Sequence, residues 1–181
     1  PRAHPAAFNA AFGEPKVEEI APRIKFHFGI SSSYFMEMAK FRAARWLWAE
    51  IIGAHGDQYK GDAAKICQHA TTSQWNMTIY DAYVNLLRSQ TETMSAALGG
   101  VDSITVLPFN IAYEESTDFS ERIARNQQLL LSEESHFDKV VDPAAGSYYI
   151  ETLTNVIAEQ AWQLFGEISA SEGGFEGFVT T

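Results

Sequence analysis

One cysteine, six prolines and 13 basic residues stand among 181 positions. A lone cysteine, Cys67, builds neither a disulfide framework nor a Cys-rich zinc centre, and it fits a reducing compartment. The 13 Lys and Arg face 23 Asp and Glu, for a formal net charge of −10. Binding to a phosphate backbone needs clustered cations, so no nucleic-acid partner is expected. No apolar run of about 18 residues occurs, so no membrane-spanning helix is expected, and no signal-peptide pattern opens the chain. The H-E-x-x-H, EF-hand, G-x-G-x-x-G and P-loop patterns are also missing. The expectation is an acidic cytoplasmic protein, one domain or part of one, with enough apolar sequence (46%) to bury a core.

What is there is a repeated rhythm of short strand, loop and amphipathic helix. Residues 1–16, with Pro1, Pro5 and Pro15, read as an extended arm or junction. The first unit has alternating Ile24–Phe28 as strand, a Gly29 and Ser31–Ser33 turn with Ser33 as cap, and a helix over 34–52 ended by Gly53 and Gly56. The second has a strand at 65–69, a polar turn at Thr71, Thr72 and Ser73, and a helix over 78–98 with Tyr83, Leu86, Leu87, Gln90 and Met94 on its core face. The third has a strand over 103–107 broken by Pro108, then a helix capped by Asp118 and Glu121, with Phe119, Ile123, Leu130 and Leu131 as its stripe. The fourth has a strand over 139–143, a turn at Ala144–Ser147 and a helix over 153–165. A Gly- and Glu-rich tail follows, so the domain is expected over 17–166 with a linker over 167–181. Alternating strands and helices predict an α/β fold with a parallel sheet. Four units are about half of an eight-fold barrel, which needs roughly 250 residues. Further chain or a partner copy is expected to close the sheet edges.

In such folds chemistry sits at the C-terminal ends of strands. The segments 29–33, 68–73, 107–111 and 142–147 qualify. His69, among Gln68, Thr71, Thr72 and Ser73, is read either as a general acid or carbonyl donor, or as a histidine bonded to a neighbouring loop. His27, between Phe26 and Phe28, points into a barrel or is satisfied against a helix; the second is preferred, because barrel chemistry sits at strand ends. His4, His55 and His136 are read as surface residues and Cys67 as a small core residue. Glu114-Glu115 and Glu133-Glu134 are read as solvated. Gly146-Ser147 is a weak phosphate signal. Arg42 and Arg45 share a helix face, as do Arg122 and Arg125, and pair with acids of neighbouring helices or of a second subunit. The four Trp are read as packing or interface residues.

Long strings then carry a resemblance. The stretch from Phe28-Gly29 through Tyr34-Phe35-Met36-Glu37-Met38-Ala39-Lys40-Phe41-Arg42-Ala43-Ala44-Arg45 resembles the methylmalonyl-CoA mutase family. So do Leu98-Gly99-Gly100, Arg122-Ile123-Ala124-Arg125-Asn126 and Val141-Asp142-Pro143-Ala144-Ala145-Gly146-Ser147-Tyr148-Tyr149-Ile150-Glu151. The resemblance runs from about Val17 to Phe165 and implies the C-terminal portion of a (βα)8 TIM-type barrel. It implies interconversion of methylmalonyl-CoA and succinyl-CoA by adenosylcobalamin radical chemistry, with the acyl-CoA threaded through the barrel and the cofactor held by a separate flavodoxin-like domain.

The departures are specific. Catalytic members carry His-Thr-Gln-Thr-Ser-Gly-Trp where this chain has His69-Ala70-Thr71-Thr72-Ser73-Gln74-Trp75, and Asn-x-Phe-Asp-Glu-Ala where it has Leu107-Pro108-Phe109-Asn110-Ile111-Ala112. His69, Thr71 and Ser73 are thus vestigial substrate positions, and Leu107 and Ile111 are degenerate cofactor-facing positions. The cobalamin-anchoring Asp-x-His-x-x-Gly string does not occur. The losses resemble the small, non-catalytic subunit of heterodimeric members. The implied partner is a large catalytic subunit that binds the cobalamin, with acyl-CoA met only through the complex.

Overall fold

A computed structural model describes residues 17–59 and 61–170. The expected arm over 1–16 lies outside the described residues, as does the tail beyond Ala170. Three parallel strands, β1 (Lys25–Ile30), β2 (Cys67–Thr72) and β3 (Ser103–Thr105), form one sheet in the order β1-β2-β3. Four long helices follow or connect them: α1 (Tyr34–Gly53), α2 (Val84–Leu98), α3 (Asp118–Glu133) and α4 (Tyr148–Ala170). The parallel α/β expectation is met in these residues.

Period-two alternation assigns the two sheet faces. Phe26, Phe28 and Ile30 of β1 share a face with Gln68, Ala70 and Thr72 of β2 and with Ile104 of β3. Against that face α1 sets Phe41, fully buried with Ile30, Ala70 and Ala96, its ring edge-on to Phe28 at 5.8 Å. Burying such a side chain stabilises by roughly 1.5–3 kcal/mol. A polar link secures the same contact: the buried Gln68 amide donates to the Phe41 carbonyl at 3.1 Å. The end of α2 comes so close to Phe41 that a Cβ at Gly99 would lie 3.0 Å from its ring. Below the sheet, Trp48 and Ile52 pack with Ala21 and Ala63, and the Phe26 ring meets Trp48 at 5.0 Å. A third cluster, Met38, Ala144 and Ile150, joins α1 to α4.

Several expectations are corrected. The second strand lies later than 65–69 and includes Thr71 and Thr72, because β-branched residues suit a pleated ladder better than a turn. No strand forms over 139–143 among the described residues. Phe137–Lys139 is a 3-10 turn, Val141 is 97% exposed with no neighbour to pair with, and Asp142 has a positive φ of 45°. The third helix is capped by Thr117 with Ser120, in a reciprocal capping box, rather than by Asp118 with Glu121. Ser33 does stand at the start of α1, but its side chain makes no capping bond. The last helix starts at Tyr148 and passes through Gly166 to Ala170, so 167–170 is helix rather than linker.

The helix stripes differ as well. In α2 the buried side is Asn85, Ser89, Glu92, Thr93, Ser95 and Ala96, while Tyr83 and Leu87 of the expected stripe are exposed. In α3 the buried side is Ser120, Ala124, Gln127 and Leu131, while Phe119 and Leu130 are exposed. The small and amide side chains allow close approach and anchor loops: Asn85 donates to the Thr78 and Phe109 carbonyls at 2.9 and 3.0 Å, and Gln127 donates to the Leu86 carbonyl at 3.0 Å.

Candidate functional site

The opposite sheet face carries Lys25, His27 and Gly29 from β1, Cys67, His69 and Thr71 from β2, and Ser103 and Thr105 from β3. All are exposed or half-buried, in contrast to the apolar face packed under α1. The ladder places His27 beside His69 and His69 beside Ser103, with Gly29, Thr71 and Thr105 one step further toward the C-terminal end. The two imidazoles lie 4.7 Å apart, inclined at 66°. His27 Nε2 lies 2.6 Å from Thr71 Oγ1. His69 Nδ1 lies 2.8 Å from Ser103 Oγ, and its Nε2 lies 3.1 Å from Thr105 Oγ1 and 3.5 Å from Thr71 Oγ1. A layer of hydroxyls and imidazoles results. Both side-chain types donate and accept hydrogen bonds, so the layer suits a polar ligand lying along the sheet.

His27 departs from the preferred reading: it is exposed on the sheet face away from α1, beside His69. His69, expected as the last residue of a strand over 65–69, instead lies in the middle of β2. Its neighbours are the strand hydroxyls, which no one-dimensional spacing brings together. Thr71 joins this layer. Ser73, just past β2, does not: its N–H is bound by the buried Glu92 carboxylate at 2.8 Å.

The C-terminal ends of the strands are held by carboxylates that the sequence reading passed over. Glu92 also accepts from the Asn76 amide at 2.7 Å. Burial pushes its carboxyl above the ordinary range, against the lowering effect of the Ser73 N–H and the Asn76 amide, and nearby Glu37 raises it further. Glu37, buried at the start of α1, accepts from Ser31 Oγ at 2.7 Å and pairs with Lys40, which also donates to the Gly29 carbonyl at 2.7 Å. A signal did exist: a lone acid inside an amphipathic helix, four residues before Ala96 on the same face. Leu107 and Ile111 follow β3, both half-buried. The Leu107 N–H donates to Thr72 Oγ1 at 2.9 Å, and Ile111 closes a turn on the Pro108 carbonyl. Neither side chain offers a polar atom.

The turn before α4 is fixed by Arg42. Its guanidinium donates to Asp142 at 3.0 Å twice, to Glu151 at 2.8 and 3.2 Å, and to Thr154 Oγ1 at 3.0 Å. Arg45 instead closes α2, donating to the Gly99 and Gly100 carbonyls at 3.1 and 2.6 Å. Arg42 therefore pairs with acids as expected, whereas Arg45 does not. Cys67 is a half-buried free thiol on the polar face rather than a core residue. His55, His136 and the two Glu pairs are exposed, as read, and His4 lies outside the described residues. No helix of the described residues is long and apolar enough to cross a membrane, and no group of three or more His, Cys, Asp and Glu side chains among them is placed to hold a metal.

A parallel sheet with helices packed on one face and a polar layer on the other defines an α/β protein of alternating strand–helix build. The chain belongs to the methylmalonyl-CoA mutase family: the family model described as Methylmalonyl-CoA mutase matches residues 12–180. It is 73% identical over 160 residues to a methylmalonyl-CoA mutase small subunit of Porphyromonas gingivalis, covering 88% of this chain and 26% of that one. It is 43% identical to a methylmalonyl-CoA mutase of Escherichia coli over 158 residues, 87% of this chain and 22% of that one. To a large subunit of Porphyromonas gingivalis it is 41% identical over 157 residues, again 87% and 22%. The chain thus spans about a quarter of the length of these curated relatives.

Proposed function

We propose that the chain is a segment of the small subunit of a heterodimeric methylmalonyl-CoA mutase, and that it supports a large catalytic subunit without running the reaction itself. The observation that carries this reading is the contrast in identity within one organism, 73% to the small subunit against 41% to the large. In this reading the three strands belong to a (βα)8 barrel over 17–166 and the polar layer is part of its inner wall. The complex works in the cytoplasm and interconverts methylmalonyl-CoA and succinyl-CoA.

The side chains agree with a supporting role. His69, Thr71 and Ser73 are remnants of a substrate site, and the Ser73 hydroxyl is taken up by the Trp75 N–H at 3.0 Å while its own N–H is bound by Glu92. Adenosylcobalamin presents amides and a phosphate that need hydrogen-bond partners, and Leu107 and Ile111 provide none. The nearby carboxylates are already taken, Glu92 by Ser73 and Asn76 and Glu37 by Ser31 and Lys40. The described residues therefore do not fit the cofactor, which is assigned to the large subunit.

The test is co-expression of the full-length subunit with and without its large partner. Isomerisation and cobalamin uptake are expected only with the large chain present. Turnover by the small chain alone supports instead an active mutase chain, the rival favoured by the outward-facing His69 and by 43% identity to the Escherichia coli enzyme. Failure to co-purify with any large chain points to a stand-alone module.

A further inference from the structure

We propose that the segment joining β2 to α2 is a proton-held strap: Ser73 and Asn76 lie closed over Glu92 while its carboxyl carries a proton, and the strap opens when that proton leaves. The proposal stands on buried side chains and is independent of the mutase reading. Glu92 is 3% exposed. The strap takes both of its carboxyl oxygens, Oε2 by the Ser73 N–H at 2.8 Å and Oε1 by the Asn76 amide at 2.7 Å. Asn85 holds the strap once more, through the Thr78 N–H at 3.1 Å and the Thr78 carbonyl at 2.9 Å. Between Thr72 and Val84 the chain forms neither strand nor helix. Trp75, Ile79 and Tyr80 are exposed along it, so opening gives up little apolar contact. Segments poor in buried contacts open locally, without unfolding the elements they join.

Burial makes the Glu92 position a costly one for a charge. Among the elements packed against α2, α1 sets Glu37 near it, a second buried acid that accepts from Ser31 and pairs with Lys40. The strands meet α2 through apolar side chains, Ile30, Ala70 and Ile104, and α3 meets it through Gln127 on Ser89. On α2 itself, Arg88 is bound to Asn85. Desolvation, with Glu37 in support, outweighs the two strap hydrogen bonds and holds the carboxyl above its ordinary range. With the strap open, water reaches Glu92 and the ordinary value of about 4.3 returns. The closed form thus binds the proton more tightly than the open one. By linkage, closure is favoured at low pH and is lost as pH rises through the closed-form value.

The experiment is amide hydrogen exchange of the full-length protein, read by mass spectrometry from about pH 4 to 8 and corrected for the pH dependence of free-peptide exchange. Amides of Ser73–Thr78 are expected to lose protection about tenfold for each pH unit between about 4.3 and the closed-form value. Those of Cys67–Thr72 are expected to keep theirs. Glu92→Gln keeps the shape and cannot ionise, so its protection is expected to be independent of pH. Glu37→Gln leaves both strap hydrogen bonds in place but removes a charge beside Glu92, so the loss of protection is expected to end at a lower pH. A purely structural strap has no reason to respond to that change. Constant protection over Ser73–Thr78 in the wild type, a wild-type profile in Glu92→Gln, or a parallel loss along Cys67–Thr72 overturns the proposal. Should Glu92→Gln fail to fold, Glu37→Gln decides: an unmoved profile overturns it.

Discussion

Arg42 ties α1 to the turn before α4 and to α4 itself. Five hydrogen bonds end on its guanidinium, which is buried to 10% exposure, while its carboxylate partners stay about two-fifths exposed. Arg42→Met leaves Asp142 and Glu151 facing each other without a cation. Breaking a fully buried pair costs roughly 3–5 kcal/mol; partial exposure lowers the expected loss to about 2 kcal/mol, read from denaturant melts. Arg42→Lys recovers only part of it, because an ammonium cannot present the planar fork. Glu151 and Glu92 titrate with opposite signs. The Arg42 hydrogen bond, helped by the Gly146 N–H, holds the Glu151 carboxyl below its ordinary range. Its stabilising contribution is present above the unfolded pKa of about 4.3 and is lost as pH falls through the lower folded value. Burial raises Glu92, so the fold prefers it protonated, and its contribution declines as pH rises from about 4.3 through the folded value. Urea midpoints followed across the acid range are expected to show an acid-side loss that Arg42→Met flattens. They are also expected to show a decline above it that Glu92→Gln flattens. Identical profiles for wild type and Glu92→Gln would remove the buried carboxylate from the account.

At the scale of elements, helix ends carry testable energy. Thr117 Oγ1 accepts from the Ser120 N–H while Ser120 Oγ accepts from the Thr117 N–H, so two donors at the start of α3 are satisfied. Thr117→Ala is expected to cost about 1 kcal/mol, and Asp118→Ala less than half of that, in thermal or denaturant unfolding. Equal losses would restore Asp118 as the cap. The same elements show what the sequence makes legible. The start of α1 after its serine turn, its end at Gly53 and the end of α2 before Gly99-Gly100 follow from local chemistry, and they stand where the sequence reading put them. Two glycines meet structural demands there: Gly56 and Gly100 have φ of 145° and 78°. The fourth strand was not legible, because an apolar pair such as Val140-Val141 becomes a strand only beside a neighbour, and no local signal names that neighbour. The α2 stripe misled for a related reason. Periodicity finds the apolar side, but the side actually buried was chosen by loops that needed Asn85 and Glu92. Of the candidate site, His69 and Thr71 were legible as residues, while their meeting with His27, Ser103 and Thr105 depends on strand order and register, which exist only in three dimensions.

At the scale of the whole molecule, surface left open is what governs behaviour in solution. Each outer strand has one paired side: β1 and β3 are both edges among the described residues. Trp75 is 96% exposed, and Ile79, Tyr80, Tyr83 and Leu87, in the segment that leads into α2, are exposed as well. Exposed apolar surface marks an interaction face where it is contiguous, and unpaired strand edges template pairing with other chains. Opposing both is charge: a net −10 makes copies of the chain repel one another, over a Debye length that shrinks from about 30 Å at 0.01 M salt to about 8 Å at 0.15 M. Apolar and backbone attractions are short-ranged and survive that screening. The 181-residue chain alone is therefore expected to self-associate with rising concentration in sedimentation velocity, and to do so more strongly at 0.15 M salt than at 0.01 M. Trp75→Ser combined with Tyr80→Ser is expected to shift the distribution toward monomer without changing the far-ultraviolet signal. A clean monomer at every concentration and salt means that neither edges nor aromatic surface are adhesive. Association that weakens on adding salt means that opposite charges, rather than apolar contact, hold the copies together.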